Sequence, residues 1–152
     1  MLTALDFVAS WNHTWGLTIA KAKTHAIVFT SRRGLVPPPL QICGTDLQFV
    51  PSVWFLGVLF DQRLTWCSHI INLRDCCRND LQLLSVVASH CWGASYTMLC
   101  QLYTVLLLPK LDYVSFLYAP AAPSVCILLD CIQYAAIRII LGDLCCTPVF
   151  IV

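Results

Sequence analysis

The 152-residue sequence predicts an α+β fold, in which one N-terminal helix and a small antiparallel sheet precede a three-helix bundle. Short β-branched and aromatic runs, separated by Gly and Pro, fill residues 1–65, and apolar residues then recur at helical spacing over residues 66–152. The length suits one domain of about 100 to 150 residues. We therefore expect these two ranges to form two parts of a single domain.

Composition excludes an intrinsically disordered chain and gives no sign of a charged partner. Apolar residues make up 59% of the chain and charged residues 11%. Nine basic residues face eight acidic ones, and every acidic residue is Asp. The net charge of +1 indicates no global field for nucleic acid or membranes, although residues 1–45 alone carry +3.

The first part contains one helix and several strand signals. Apolar spacing predicts a helix over residues 2–11 that Gly16 ends. Residues 25–30 (HAIVFT) predict a strand, and three consecutive prolines then favour a connector. Residues 40–43 and 47–50 predict the two strands of a hairpin around a turn at 44–46, and residues 53–60 predict one further, strongly hydrophobic strand.

The second part predicts three helices, each with an end signal. Their ranges are residues 67–88, 95–108 and 125–141. Pro109 should stop the second helix, because proline lacks the N–H that the next turn needs. Ser124 is the expected N-cap of the third, and Gly142 lies where a left-handed residue ends a helix.

The N-terminus lacks a basic segment followed by a continuous apolar one, so we expect an intracellular, not a secreted, chain. Residues 81–109 form a stretch of 29 residues without Asp, Glu, Lys or Arg. A stretch of this length could span a bilayer. Their many polar residues and Gly93 favour two helices instead. We consider a membrane partner unlikely, and a small multi-helix membrane protein remains the alternative.

Ten cysteines would indicate a disulfide scaffold only in a short secreted chain. No C-x-x-C occurs, and the four histidines are not spaced with the thiols as zinc ligands. We therefore predict no metal site and expect the cysteines to act as small buried residues.

Five strings carry the chemical interest of the sequence. Residues 15–30 read WGLTIAKAKTHAIVFT, residues 55–61 read FLGVLFD, and residues 61–70 read DQRLTWCSHI. Residues 109–113 read PKLDY, and residues 129–142 read LDCIQYAAIRIILG, with Thr-Pro at 147–148. In this order they resemble the C-terminal part of the reverse transcriptase of non-LTR (LINE-type, jockey-like) retrotransposons. The chain departs from that pattern at Ala20, where Asn is usual, and at Val114, where Gly is usual.

The resemblance implies a palm remnant with motifs D and E over residues 1–65 and a thumb over residues 66–152. Lys23 then takes the place of the motif D lysine, a general acid toward pyrophosphate in a complete polymerase. Phe55, Leu56 and Gly57 occupy the primer grip. The implied partners are an RNA/DNA primer-template and the remainder of the palm.

Three further basic residues are predicted phosphate contacts, namely Lys21, Arg32 and Arg33. The simpler interpretation is that Lys21 and Lys23 are solvated and that Arg32 and Arg33 lie in a solvated turn. Trp54, Trp66 and Trp92 could stack on bases, although aromatic residues in so apolar a chain mostly form core.

The resemblance also implies Mg²⁺ in the complete parent polymerase, held by paired carboxylates upstream of motif D. These 152 residues contain no Asp-Asp or Asp-x-Asp. We therefore expect a fragment that does not polymerise DNA alone. The alternative, from another functional class, is a thumb-derived interaction module without chemistry.

Overall fold

The computed structural model describes residues 2–32, 37–42, 44–88, 93–113 and 115–142. The chain divides into two compact units, residues 1–64 and 65–152. The first unit contains one helix and two small antiparallel sheets, and the second contains helices. The α+β prediction is confirmed, whereas the assignment of the two parts to palm and thumb stays a prediction.

Helix α1 spans Leu2–Thr14 and ends at Gly16, as predicted. Gly16 has a φ of 65°, its N–H donates to the His13 carbonyl at 3.2 Å, and the Leu17 N–H donates to the Asn12 carbonyl at 2.9 Å. This pair of bonds is a Schellman motif, which satisfies carbonyls left open at the helix end.

The predicted strand over residues 25–30 is wrong, because only Ala26 forms a bridge, parallel to Phe49. The Ala26 N–H donates to the Gln48 carbonyl at 3.0 Å, and the Ala26 carbonyl accepts from Val50 at 2.9 Å. The partner segment, residues 47–50, is not itself a strand, so no regular ladder extends along residues 25–30.

The first predicted hairpin is only partly confirmed, because the second strand predicted over residues 47–50 is wrong. The second strand lies instead at residues 45–46, where the sequence predicted the turn. Strand β1 spans Gln41–Ile42 and pairs antiparallel with β2, Thr45–Asp46. The Gln41 side chain donates to the Asp46 carboxylate at 2.7 Å. Cys43, which the prediction placed at the end of the first strand, lies outside the described residues.

The single strand predicted over residues 53–60 is wrong, because the chain reverses in its middle. Strand β3 spans Ser52–Phe55 and β4 spans Val58–Asp61, and the two pair antiparallel. Leu56 and Gly57, with φ of 48° and 78°, form the turn between them. Hydrophobic content alone concealed this turn, since Leu is not a usual residue at such a position.

Helix α2 spans Cys67–Ala88, as predicted, and the next helix starts after Ser95. Helix α3 spans Tyr96–Leu102, and the Ser95 hydroxyl accepts from the Met98 N–H. A π-helical turn, Tyr103–Leu107, then leads into α4, Leu108–Asp112. The prediction that Pro109 stops this helix is therefore wrong.

The π turn explains why the helix passes through Pro109. The Leu108 N–H donates to the Tyr103 carbonyl, five residues back, instead of to residue 104. The wide turn shifts the bonding register before the proline, which becomes one of the first residues of α4, where its missing N–H removes no helical bond.

Two further helices are described in the second unit. Helix α5 spans Ser115–Tyr118, and α6 spans Pro123–Leu141. Ala122 is the N-cap of α6 and makes no side-chain bond, so the prediction of Ser124 as the cap is wrong. Pro123 stands at the first helical position instead, where its fixed φ suits the start of a helix. Gly142 ends α6 with a φ of 71°, as predicted.

The core of the second unit lies where α2, α3, the π turn, α4 and α6 meet. Its buried members are Cys77, Leu84, Leu99, Leu107, Leu111, Ile132 and Ala136. At one edge the Lys110 ammonium bonds the Asp80 carboxylate at 2.6 Å, which joins α4 to α2. The Tyr118 hydroxyl donates to the Leu111 carbonyl, which ties α5 to α4.

Within the part of the chain that the structure describes, α6 is the one helix long and apolar enough to cross a membrane. Ile132 and Ala136 of this helix are buried in the core of the second unit. A single such helix is weak support for a membrane protein, since core helices of soluble proteins have the same composition.

Removing the Leu107 side chain should destabilise the second unit. Leu107 is fully buried, so Leu107→Ala leaves a cavity and should cost about 2–5 kcal/mol in the free energy of unfolding. Urea unfolding followed by the helical circular dichroism signal measures this cost. Leu83→Ala is the matched control, because Leu83 is 51% exposed. An equal loss in both variants would contradict the assigned core.

Stability should fall when the pH drops below about 6.5, because His69 is buried. Burial lowers the pKa of His69 from 6.5, so the unfolded chain binds a proton at a higher pH than the folded chain does. Below its folded pKa the loss levels off. Unfolding free energies of the wild type and His69→Gln at pH 5 to 8 test this, since the variant should lose that part of the pH dependence.

Candidate nucleic-acid interface

The β3–β4 hairpin carries the residues predicted for the primer grip at its tip. Phe55 pairs with Val58, and Leu56 and Gly57 form a two-residue turn with positive φ at both positions. This is the pattern of a type I′ turn, whose twist matches that of the two strands. The turn leaves Phe55 61% and Leu56 74% exposed. Gly57 therefore belongs to the turn and not to a strand interior, where the sequence placed it.

An aromatic row runs along one face of this hairpin. The Phe60 ring lies between Phe55, at a centroid distance of 6.4 Å, and Phe29, at 6.3 Å. Both pairs meet edge to face at 64°, a favourable geometry for aromatic rings. Phe29 is 51% exposed, so both ends of the row are open to solvent. We call Phe29, Phe60 and Phe55 the aromatic row.

Basic side chains lie at the open end of the hairpin, away from the tip. The Thr30 N–H donates to the Gln62 carbonyl at 2.9 Å, which holds the segment after Phe29 beside the end of β4. Arg32 and Arg63 follow Thr30 and Gln62 closely in the chain, and both are exposed. Gln62 lies four positions after Val58, or about 13 Å along the strand.

The charge of the first unit complements a polyanion. Residues 1–64 hold five basic and three acidic side chains, whereas residues 65–152 hold four basic and five acidic ones. The basic excess thus belongs to the unit that carries the aromatic row. Exposed rings and an excess of positive charge on the same unit are a combination that nucleic-acid-binding surfaces use.

The structure places the other predicted site residues apart from the tip. Lys23 is exposed at the end of a short 3₁₀ turn, Lys21–Lys23, and Arg33 lies outside the described residues. A cavity of about 240 Å³ next to this turn is lined by Ala22, Thr24, His25, Thr45, Asp46 and Gln48. The acidic Asp46 is part of this lining, and a carboxylate does not favour phosphate.

The tryptophans that could stack on bases divide into two kinds. Trp54 is 58% exposed on β3, whereas Trp66 is 6% exposed and belongs to the core. Trp92 lies outside the described residues. Trp54 pairs with Leu59, so it lies on the face of the hairpin opposite to the aromatic row.

Among the described residues, no group of three or more His, Cys, Asp or Glu side chains is arranged to hold a metal ion. The residues present do not fit the Mg²⁺ site that the resemblance implies for a complete polymerase. No catalytic step of this chain can therefore be derived through a metal.

Sequence reasoning missed three members of this surface, Phe29, Phe60 and Arg63. Each lies inside one of the strings that carry the resemblance, so a signal was present. Their proximity was not readable from the apolar pattern, which predicted one continuous strand over residues 53–60, although the resemblance implied a hairpin at the primer grip. The reversal at Leu56 and Gly57 brings Phe60 back beside Phe55.

Two curated polymerases of mobile elements from Drosophila melanogaster are similar to this chain. It is 27% identical over 140 residues to the "Probable RNA-directed DNA polymerase from transposon X-element", covering 88% of this chain and 15% of that protein. It is 26% identical over 120 residues to the "RNA-directed DNA polymerase from mobile element jockey", covering 79% and 13%. These similarities confirm the resemblance drawn from the motifs, and this chain spans about one seventh of those relatives.

No family model matches the chain. No solved structure matches it with statistical significance.

The strained backbone at Leu56 predicts a stabilising substitution. A non-glycine residue with positive φ costs about 1 kcal/mol, and Asn tolerates this region better than Leu does. Leu56→Asn should raise the stability of the hairpin by about that amount, measured by hydrogen exchange of the β4 amides. Phe55→Asn is the contrasting variant, because it removes the contact with Phe60 and should lower that stability. A loss of protection in Leu56→Asn would contradict the turn.

Proposed function

We propose that this chain is a primer-template-gripping part of an RNA-directed DNA polymerase from a non-LTR mobile element. The observation that carries the proposal is the aromatic row, with arginines at the open end of the same hairpin. The similarity to two polymerases of mobile elements supports it independently of the geometry.

The two kinds of side chain have different tasks on a nucleic acid. Arg32 and Arg63 attract phosphates, which positions the strand without reading its sequence. The exposed faces of Phe29 and Phe55 offer apolar contacts to bases or sugars, and such contacts tolerate any sequence. A grip of this kind suits an enzyme that must hold every template it copies.

Lys23 is the residue for which we propose a chemical role in the longer polymerase. Its ammonium would donate a proton to the leaving pyrophosphate, as general acid catalysis requires. The exposure of Lys23 supports this assignment, because a substrate phosphate could reach it. Its proposed partners in that reaction are the carboxylates and Mg²⁺ of the remaining palm.

An apolar surface on α1 and the turn after it supports the remainder of the palm as a partner. Phe7, Trp11 and Trp15 recur every four residues and are 69%, 50% and 68% exposed. Exposed apolar residues clustered on one helix face are typical of a surface that another part of a protein covers. In the longer polymerase, we propose that the rest of the palm packs here.

The 152-residue polypeptide should bind a primer-template without extending the primer, because its sequence has no adjacent carboxylate pair. Binding should weaken as salt rises, in proportion to the number of phosphate contacts. In the double variant Arg32→Ala/Arg63→Ala, the slope of log affinity against log salt should fall in magnitude by about 1.8. Fluorescence anisotropy at several salt concentrations measures both slopes.

The matched control is Arg74→Ala/Arg78→Ala, which removes two cations from α2 in the second unit. It should leave the salt slope near that of the wild type. Equal effects of the two double variants would show that charge anywhere on the chain suffices, which would contradict a grip on the hairpin. Primer extension by the polypeptide alone would contradict the proposal that this chain binds a primer-template without extending the primer.

A further inference from the structure

Helix α6 has a second apolar face, on the side opposite to the core of the second unit. Ile132 and Ala136 are buried in that core. Ile127, Tyr134 and Leu141 follow one another at intervals of seven residues and are 54%, 39% and 48% exposed. Seven residues are close to two helical turns, so these three side chains form one line along the helix. We call Ile127, Tyr134 and Leu141 the α6 stripe.

Two charged residues lie beside the α6 stripe, at equal distances from its centre. Asp130 and Arg138 are the only charged residues of α6, four positions before and four positions after Tyr134. Four residues turn the helix by about 400°, so each lies within about 40° of the stripe. Asp130 is exposed and Arg138 is half-buried. The first half of this face is therefore negative and the second half is positive.

This arrangement is complementary to itself when two copies of α6 lie antiparallel. With Tyr134 of both copies at the two-fold axis, Ile127 of one copy faces Leu141 of the second. In the same register Asp130 faces Arg138 of the second copy, and each of these contacts occurs twice. A two-fold interface uses one surface on both subunits, so it requires such self-complementarity. In a parallel pair Asp130 would face Asp130 and Arg138 would face Arg138, and like charges oppose association.

We propose that the α6 stripe is a self-association surface, on which a second copy of this chain packs antiparallel about Tyr134. The inference goes beyond the proposed function, because the contact needs no nucleic acid. A bilayer suits the stripe less well, since Asp130 and Arg138 would have to enter the hydrocarbon with it.

The length of α6 sets the expected strength of the dimer. Its 19 residues make a helix about 28 Å long. A pair of helices of this length buries an area at the low end of specific interfaces. We therefore expect a dissociation constant in the micromolar range and a concentration-dependent equilibrium between monomer and dimer.

Sedimentation velocity of the 152-residue chain, without nucleic acid and at about 1 to 100 μM, measures this equilibrium. The wild type should pass from monomer to dimer, and added salt should weaken the dimer because it screens the two ion pairs. Tyr134→Glu should abolish the dimer, because two carboxylates would meet at the two-fold axis. Leu83→Glu is the matched control, since it puts the same charge at an exposed leucine of α2, and it should keep the wild-type association.

Asp130→Arg tests the antiparallel orientation, and the exposure of this position makes the substitution compatible with folding. The new cation would face Arg138 of the second copy twice in each dimer, so the dissociation constant should rise about tenfold at low salt. Added salt should strengthen the association that remains, because it screens a repulsion, which is the reverse of its effect on the wild type. In a parallel pair position 130 would face itself, and the substitution would exchange one like-charge contact for another. Circular dichroism checks that each variant is folded.

Several outcomes would overturn the inference. A wild type that stays monomeric at about 100 μM would do so. A dimer that either Tyr134→Glu or Asp130→Arg leaves intact would also do so, because it would assign the contact to another surface, such as the exposed aromatic residues of α1. Binding to phosphatidylcholine vesicles that Tyr134→Glu removes, with no dimer in solution, would show that a membrane covers the stripe instead. Binding to a primer-template is measured separately, so these outcomes leave the proposed function unaffected.

Discussion

The reversal of the chain at Leu56 and Gly57 determines the arrangement of the first unit. Two consecutive residues with positive φ close the turn, and the pairing of β3 with β4 follows from it. Because side chains alternate across a strand, this register puts Phe55 and Phe60 on the same face. A slip by one residue would turn Phe60 to the other face and destroy the aromatic row. This is the only surface described in this unit that is both basic and aromatic. It therefore depends on the positive φ angles of Leu56 and Gly57.

A second local device, the π turn before Pro109, shapes the helical unit. It keeps the helix continuous through the proline and so places Leu111 in the core and Lys110 within reach of Asp80. The ion pair is partly exposed and contributes about 1 kcal/mol or less. The hydrophobic cluster contributes most of the stability. Burial is also the main reason why the pKa of Cys77 rises to about 11, which keeps its thiol protonated and unreactive.

Much of the helical part was predictable from sequence, because its signals are local. Apolar spacing predicted α2. Gly16 and Gly142 marked the ends of two helices, and Ser95 proved to be a cap. The failures lie where a local preference was overridden. Pro109 is tolerated only because the preceding turn widens, and no property of the proline itself reveals that.

The candidate site was less predictable, because it depends on contacts between distant residues. The strings pointed to Phe55, Leu56 and Gly57, whereas Phe29 comes from a distant segment and joins them through its contact with Phe60 and the bond between Thr30 and Gln62. A prediction from hydrophobic content treats residues 53–60 as one strand, so it places the tip of the hairpin in the middle of that strand. The relevant signal was the glycine after Leu56, and a leucine in front of it weakened that signal.

The balance of forces on the hairpin follows from how few charges it carries. A net excess of two cations on the first unit corresponds to a salt slope of about −1.8, so binding by charge alone weakens roughly tenfold between 50 and 200 mM salt. Each aromatic contact with a base is worth about 1–3 kcal/mol and is far less sensitive to salt. At physiological ionic strength the apolar contacts therefore outweigh the ionic ones. The position of the nucleic acid on this chain should then depend on Phe29, Phe55 and Leu56 more than on its arginines.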